Sequence, residues 1–134
     1  MTVPSLGPPS ATSGRTPKEV ALQVALEAGA LLKERFQGAL QITSKGRGNV
    51  VTDLDHLVEA RAIHLLRREF PSFGILAEES SQVPSDSGYT WVIDPLDGTR
   101  NFASGLPVFC VNLALAQGAE TLLGITYEIG RAHV

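Results

Sequence analysis

The chain has 134 residues, of which 43% are hydrophobic, and a formal net charge of −3. This length and composition suffice for one modest domain with a buried core. The negative charge, without a clustered basic surface, argues against a nucleic-acid partner but leaves small phosphorylated molecules as possible substrates.

Two further classes of protein are disfavoured. No stretch of the sequence is long and apolar enough to span a membrane, so we expect no membrane partner. Cys110 is the only cysteine, so a disulfide framework is excluded and a reducing compartment, the cytoplasm, is expected. Because Cys110 lies in an apolar run, we predict that it is a small core residue.

The sixteen N-terminal residues are a mixture of Pro, Ser, Gly and Thr, which predicts a disordered leader over residues 1–16. Order is predicted to begin at Pro17, with Thr16 as helix N-cap. Apolar residues then recur at three- and four-residue steps, which predicts an amphipathic helix ending near Gly38. They are Val20, Val24, Ala28, Leu31, Leu32 and Phe36.

A short strand is predicted over Ala39–Thr43, followed by a flexible basic loop over Ser44–Asn49 with two glycines. Thr52 is predicted to open a second amphipathic helix, which Pro71 stops. Its apolar stripe consists of Leu54, Leu57, Val58, Ala62, Leu65 and Leu66.

Three polar residues of this second helix need an interpretation. Asp55 follows Thr52 by three residues, which resembles a capping box, and its position alone favours this structural explanation over a functional one. His56 and His64 are eight positions apart, so they do not form the i, i+4 pair of a helical metal site. We predict that both are surface or boundary residues.

Two strands are predicted over Phe73–Ala77 and Tyr89–Ile93, with a polar connection over Ser81–Gly88 between them. We expect the two strands to pair antiparallel, which would bring Glu78 to the same edge as Asp94 and Asp97. Such a convergence of acids is costly unless cations neutralise them.

Two more apolar strands, Pro107–Ala116 and Thr121–Tyr127, are predicted to form a hairpin in which Gly118 takes a positive φ. Asn101–Gly105 is predicted to be a short helical or irregular piece. The class is therefore α+β, with two amphipathic helices packed on a mostly antiparallel sheet.

The run from Trp91 to Phe102 carries the clearest chemical signal. Asp94 and Asp97 leave an apolar strand whose end Pro95 enforces. Their carboxylates and the Leu96 carbonyl are hard oxygen ligands of the kind that Mg²⁺ prefers. Gly98 and Thr99 follow with backbone N–H groups suited to an anion. The alternative is a simple Asp-rich turn after a strand.

At this point the residues match a family. From about Val20 to Tyr127 the chain resembles the inositol monophosphatase family, of the Mg²⁺-dependent, lithium-sensitive sugar-phosphatase superfamily. Three motifs carry the resemblance: NVVTDLD over residues 49–55, AEES over residues 77–80 and WVIDPLDGTRNFASGLP over residues 91–107. The resemblance implies the N-terminal portion of a layered α/β sugar-phosphatase fold. It also implies hydrolysis of a small sugar or inositol monophosphate by metal-activated water.

The resemblance also implies residue roles. Glu78, Asp94 and the Leu96 carbonyl would hold one Mg²⁺, and Asp94 would bridge to a second ion that Asp97 also binds. The amides of Gly98 and Thr99 would hold the substrate phosphate.

Catalysis would depend on a relay implied by the same motifs. Glu78, with the Thr99 hydroxyl and Asp55 behind it, would orient and deprotonate the attacking water. This favours a functional interpretation of Asp55 over capping. Asn49 stands where the family usually has Asp, from which we expect a tuning effect at most. Lys45 is a weak candidate near the site, and a solvated loop lysine is its simpler interpretation.

Residues 17–127 thus correspond to the N-terminal part of the family's domain. The C-terminal half, which supplies a Trp-Asp-x-Ala-Ala-Gly-like motif completing the second metal site, is absent, so this chain is expected to be weak or inactive. Residues 128–134 can be encoded by GAG ATC GGA AGA GCA CAC GTC, a common sequencing adapter, and are expected to be a non-native tail. Family members are often dimers, so a homodimer is one expectation for the full-length protein.

Two alternatives stay open. One is another phosphatase of the superfamily, acting on fructose bisphosphate, histidinol phosphate or an adenosine bisphosphate, although Asn101 and Phe102 fit the inositol-phosphatase pattern better. The other is a non-catalytic divalent-ion-binding domain. Thr99 and Asp55 favour an enzyme, because cation binding alone needs only the acids.

Overall fold

The computed structural model describes residues 7–39, 44–77, 82–97 and 109–128. Two helices, α1 (Pro17–Ala39) and α2 (Ser44–Glu69), precede the strands β1 (Gly74–Ala77), β2 (Tyr89–Asp97), β3 (Cys110–Gln117) and β4 (Glu120–Glu128). These strands form one sheet in the order β1-β2-β3-β4, and the helices pack on one of its faces. The predicted α+β class, with two helices on a mostly antiparallel sheet, is confirmed.

Helix α1 begins at Pro17, as predicted, with Thr16 as its N-cap. The Glu19 backbone N–H donates to Thr16 Oγ1 at 3.2 Å, and the Thr16 backbone N–H donates to the Glu19 carboxylate at 3.0 Å. This reciprocal pair is a capping box. The hydrogen bonds, first that of the Thr16 backbone and then that of its side chain, lower the pKa of Glu19 from its usual value.

Helix α2 begins earlier than the sequence predicts. The predicted loop Ser44–Asn49 forms its first turns, so Thr52 does not open the helix, and both predictions were wrong. Extending a helix needs no new nucleus, because each added residue gains a hydrogen bond, and this offsets the cost of two glycines. Asp55 therefore lies beyond the first turn, where the capping explanation no longer applies. Of the predicted strand Ala39–Thr43, Ala39 belongs to α1 and residues 40–43 lie outside the described residues.

The remainder of α2 follows the prediction. The helix ends at Glu69, before Pro71. His56 and His64 are exposed, as expected for surface positions. The predicted apolar stripe faces the core. Its buried residues are Leu54, Val58, Ala62, Leu65 and Leu66, and Leu57 is half-buried.

Part of the predicted leader is ordered against the end of α2. The Thr12 backbone N–H donates to the Glu69 carbonyl at 2.8 Å, and its hydroxyl donates to the Arg68 carbonyl at 3.1 Å. The Ser13 N–H donates to the Glu69 carboxylate at 3.2 Å, and Ala11 is buried. The last carbonyls of a helix lack intrahelical partners, so they can order a segment of low hydrophobicity. These contacts place Thr12 and Ser13, which belong to the predicted leader, against the end of α2.

The first two strands pair in parallel, with Gly74 opposite Thr90 and Ala77 opposite Ile93. The prediction of antiparallel pairing was wrong. The reason is the connection: Val83 pairs antiparallel with Ile75 on the outer side of β1, with N···O distances of 2.8 and 2.9 Å. The chain thus runs back alongside β1 before it enters β2.

Strands β3 and β4 form the predicted hairpin. Gln117 lies opposite Glu120, and the intervening Gly118 has a φ of +59°. A two-residue hairpin turn favours such positive φ values, which glycine adopts without steric cost.

The core lies between the helices and one face of the sheet. Trp91 is fully buried there and packs against Phe70 and Phe73, with ring centroids 5.6 and 6.0 Å away. The opposite face carries Cys110, which is half-buried, so the prediction of a core position was wrong. Alternation explains this, because Val111 takes the core-facing position. Among the described residues, no helix has the length and apolar character needed to cross a membrane.

Candidate active site

The parallel pairing brings the ends of β1 and β2 to one edge of the sheet. Ala77 lies opposite Ile93, and the next residues in the chain are Glu78 and Asp94. Glu78 lies outside the described residues, whereas Asp94 is half-buried. An antiparallel pair would have placed Ala77 beside the start of β2, away from Asp94, so the expectation that antiparallel pairing would bring Glu78 to the edge of Asp94 was also wrong. Parallel pairing is therefore the arrangement that suits a shared acidic site.

Beyond Ile93, β2 contains a β-bulge. Asp94 lies opposite Asn112 and Asp97 lies opposite Cys110, so a step of three residues in β2 matches a step of two in β3. A regular strand would put positions 94 and 97 on opposite faces of the sheet. Because of the extra residue, the register assigns both positions to the face that carries Asn112, away from the helices.

Pro95 lies within this bulge. We predict from the sequence that it ends the strand, but β2 continues to Asp97, and that prediction was wrong. Proline has no N–H for a ladder, and within a sheet it is tolerated at bulges. Pro95 thus lies at the irregularity that puts position 97 on the same face of the sheet as position 94.

Two polar residues that sequence analysis missed, Asn112 and Thr126, extend from Asp94 across this face of the sheet. Thr126 is opposite Asn112 in the next strand pair, and its hydroxyl donates to Asn112 Oδ1 at 2.8 Å. The Cys110 thiol lies 4.0 Å from the same oxygen. The signal in the sequence was Asn112 itself, an amide within an otherwise apolar strand. Asp94, Asn112 and Thr126 form a row across three strands, which we call the polar row.

Asp55 approaches the same end of the sheet from the helix side. Its neighbour Leu54 packs in a cluster with Phe109 and Val111, which flank Cys110, the partner of Asp97. Asp55 is half-buried. The structure therefore brings Asp55 and Asp94 to one end of the sheet, but from opposite faces.

The other predicted site residues, Gly98 and Thr99, lie outside the described residues, as does the predicted helical piece Asn101–Gly105. Leu96 and Asp97 are described as part of β2. Within the described part of the chain, no three His, Cys, Asp or Glu side chains gather as a metal site. The acids that are described have the hard oxygen chemistry that suits Mg²⁺.

The chain is similar in sequence and in fold to known proteins. The family model described as the inositol monophosphatase family matches residues 15–132. A relative from Haemophilus influenzae, "Nus factor SuhB", is 37% identical over 81% of this chain and 42% of its own length. A relative from Aquifex aeolicus, "Fructose-1,6-bisphosphatase/inositol-1-monophosphatase", is 38% identical over 81% of this chain and 42% of its own length.

A solved structure shares the fold. The "extragenic suppressor protein suhB" from Bartonella henselae aligns with a TM-score of 0.74 and 31% sequence identity. The alignment covers 84% of this chain and 44% of that protein. The chain thus spans less than half the length of each of these proteins.

Proposed function

Because the chain belongs to the inositol monophosphatase family, we propose that it carries the metal-binding and water-activating residues of a Mg²⁺-dependent phosphomonoesterase. The substrate class is a small sugar or inositol monophosphate. The observation that carries the proposal is the bulge, which assigns positions 94 and 97 to one face beside the end of β1. Since the chain spans about 42% of its relatives' length, the activity is proposed for the whole protein.

In this proposal, Asp94 and Asp97 hold the ions together with Glu78 and the Leu96 carbonyl. The bulge supports the use of Leu96, since an extra residue in a strand is left out of the regular ladder and its carbonyl is available to a ligand. Bound Mg²⁺ stabilises the charge that develops on the phosphoryl and leaving-group oxygens and promotes ionisation of water.

The remaining roles are assigned to hydrogen-bond donors and acceptors of this chain. Backbone N–H groups of Gly98 and Thr99 bind the substrate phosphate. Glu78 accepts a proton from the attacking water. The Thr99 hydroxyl and Asp55, which lie behind Glu78 in this proposal, help to orient that water. Holding a nucleophile in line with its target contributes through orientation. The position of Asp55 beyond the first turn of α2 supports this role, because capping no longer accounts for an acid there.

A chimera tests the proposal. Residues 15–127 of this chain replace the residues that they align with in the Aquifex aeolicus relative, and phosphate release from inositol monophosphate is measured with Mg²⁺. We expect turnover that Asp94→Asn abolishes. Asp86→Asn, an exposed acid outside the site, is the matched control and should leave the rate unchanged. An Asp94→Asn chimera as fast as its parent would refute the proposal.

The relay has its own test in the same chimera. Thr99→Ala should lower kcat while Mg²⁺ affinity stays close to that of the parent, because the hydroxyl acts on water and not on the ion. An unchanged rate would exclude the relay but leave the metal site standing. The 134-residue chain alone is expected to turn over weakly at most.

A second substrate class is favoured by the name of the Aquifex aeolicus relative, which includes fructose-1,6-bisphosphatase. Parallel assays of fructose bisphosphate, histidinol phosphate, adenosine bisphosphate and inositol monophosphate decide between these classes. A non-catalytic ion-binding role is the remaining alternative, and a chimera that binds Mg²⁺ without releasing phosphate would favour it. We further infer that the whole protein acts in the cytoplasm and that it is a homodimer. Measuring the size of the whole protein in solution would test the dimer.

A further inference from the structure

We propose that Asn112, held by Thr126, is a positioning residue that donates from its Nδ2 group to the Asp94 carboxylate and sets the orientation of that carboxylate toward the bound ion. This inference rests on the proposed function, because it assigns a partner to a proposed metal ligand. The polar row formed by Asp94, Asn112 and Thr126 is the observation behind it.

The register brings the two side chains within reach of each other. Asp94 and Asn112 are direct partners across β2 and β3. Directly opposite residues on one face of an antiparallel pair have Cβ atoms about 4.5–5.5 Å apart, which short polar side chains can bridge with one hydrogen bond. Both residues are half-buried, so water competes less with such a bond than it does at an exposed position.

Thr126 determines which end of the Asn112 amide faces Asp94. Asn112 Oδ1 accepts from the Thr126 hydroxyl at 2.8 Å and lies 4.0 Å from the Cys110 thiol. An amide has one acceptor oxygen and two donor hydrogens, and an ionised carboxylate accepts only. With Oδ1 engaged by donors from β3 and β4, the Nδ2 group suits the carboxylate on β2.

The consequence for the site concerns geometry. If Asp94 held ions as proposed, its carboxylate would need a fixed orientation, and a neighbouring donor would restrict its rotation. Partners that hydrogen-bond to metal ligands are typically worth about 10–100-fold in metal affinity. The bulge follows immediately after the Asp94–Asn112 pair, so this is the last regular ladder position from which such support is available.

The first measurement uses the 134-residue chain without metal. In ¹H–¹⁵N spectra, the side-chain NH₂ signals of Asn112 are assigned by their loss in Asn112→Ala. We expect them to shift and to exchange faster with water in Asp94→Ala, and to do so to a smaller degree in Thr126→Val. Signals that do not respond to Asp94→Ala would overturn the proposal.

The second measurement is Mn²⁺ affinity, followed by the electron paramagnetic resonance of the free ion. Asn112→Ala should weaken binding by roughly tenfold, and Thr126→Val by less. Thr126→Ser keeps the hydroxyl and should bind like the parent chain. Thr121→Val removes a threonine from the same strand, at the opposite end and beside Ala116, and is the matched control that should have no effect.

The two proposals fail in different ways. If Asp94→Asn loses Mn²⁺ but Asn112→Ala binds like the parent chain, the positioning role is overturned and the proposed metal site stands. If the parent chain and Asp94→Asn are alike in binding no Mn²⁺, the metal-directed role of Asn112 is overturned for this chain, and phosphate release by the chimera decides the proposed function separately. Far-UV circular dichroism of each variant verifies the fold, and the two exposed Thr126 variants test the role should Asn112→Ala unfold.

Discussion

Asp94 lies opposite Asn112 in the last regular pair of the β2–β3 ladder before β2 gains an extra residue. Two acids three residues apart would otherwise point to opposite faces of the sheet. The extra residue assigns their positions to a common face, and the parallel β1–β2 pair adds the end of β1 to the same edge. The strand pairing, more than the spacing of the acids, thus forms the candidate site.

Deleting Pro95 tests the bulge directly. The step from Asp94 to Asp97 would then match the two-residue step of β3, so both positions would stay on one face, but the local bend of the bulge would be lost and the two acids would be displaced relative to each other. In the chimera we expect a rate loss on the order of 100-fold, since a misplacement of about 1 Å can have that effect. Pro95→Ala keeps the chain length and should lose much less. Equal rates for the deletion and the substitution would show that the bulge is irrelevant to activity.

Gly74 is required by the close passage of the Val83 segment. A Cβ at position 74 would lie 2.8 Å from the Val83 carbonyl oxygen. Gly74→Ala should therefore lower the free energy of unfolding by about 1–3 kcal/mol, as overpacking typically does. Gly124→Ala is the control, because a Cβ there meets nothing within 4 Å. Urea unfolding of both variants decides the matter, and a Gly74→Ala chain as stable as the control would contradict the observed packing.

Trp91 links the sheet to both aromatic residues that follow α2. It is fully buried, so Trp91→Ala should lower the free energy of unfolding by about 3–5 kcal/mol. The next residue, Val92, is 37% exposed on the other face, and Val92→Ala should have an effect below about 1 kcal/mol. If both variants unfold at similar denaturant concentrations, the assignment of the two faces is wrong.

Glu69 should give stability a pH dependence. Its hydrogen bond with Ser13 lowers its pKa, and Arg15 and Arg68 add to this, while burial acts in the opposite direction. A lowered folded-state pKa means that the stabilisation is complete above the unfolded value, about 4.3 for Glu, and is lost as the pH falls through the folded value.

The melting temperature of the parent chain should accordingly fall more steeply below about pH 4.3 than that of Glu69→Gln. Glu34→Gln, at an exposed position of α1, is the control and should follow the parent chain. Parallel curves for the parent chain and Glu69→Gln would exclude Glu69 as the group responsible.

The sequence by itself determined the elements whose cause is local. The three- and four-residue spacing from Val20 to Leu32 is sufficient to predict α1, and the Thr16 cap follows from its position before Pro17. Gly118 similarly predicts the hairpin, because few residues other than glycine tolerate its φ. The motif from Trp91 to Phe102 indicated the family, which the family model confirms, while the roles of Glu78, Asp94 and Thr99 stay predictions.

Only the tertiary structure decided how distant segments meet. Parallel pairing of β1 depends on Val83 returning along its outer side, and the position of Thr12 depends on its hydrogen bonds to carbonyls at the end of α2. The Asp94–Asn112 pair joins residues 18 positions apart through a register set by the whole β2–β3 ladder. Local spacing carries no information about such pairings, because their free energy arises from contacts that form only when the chain has folded.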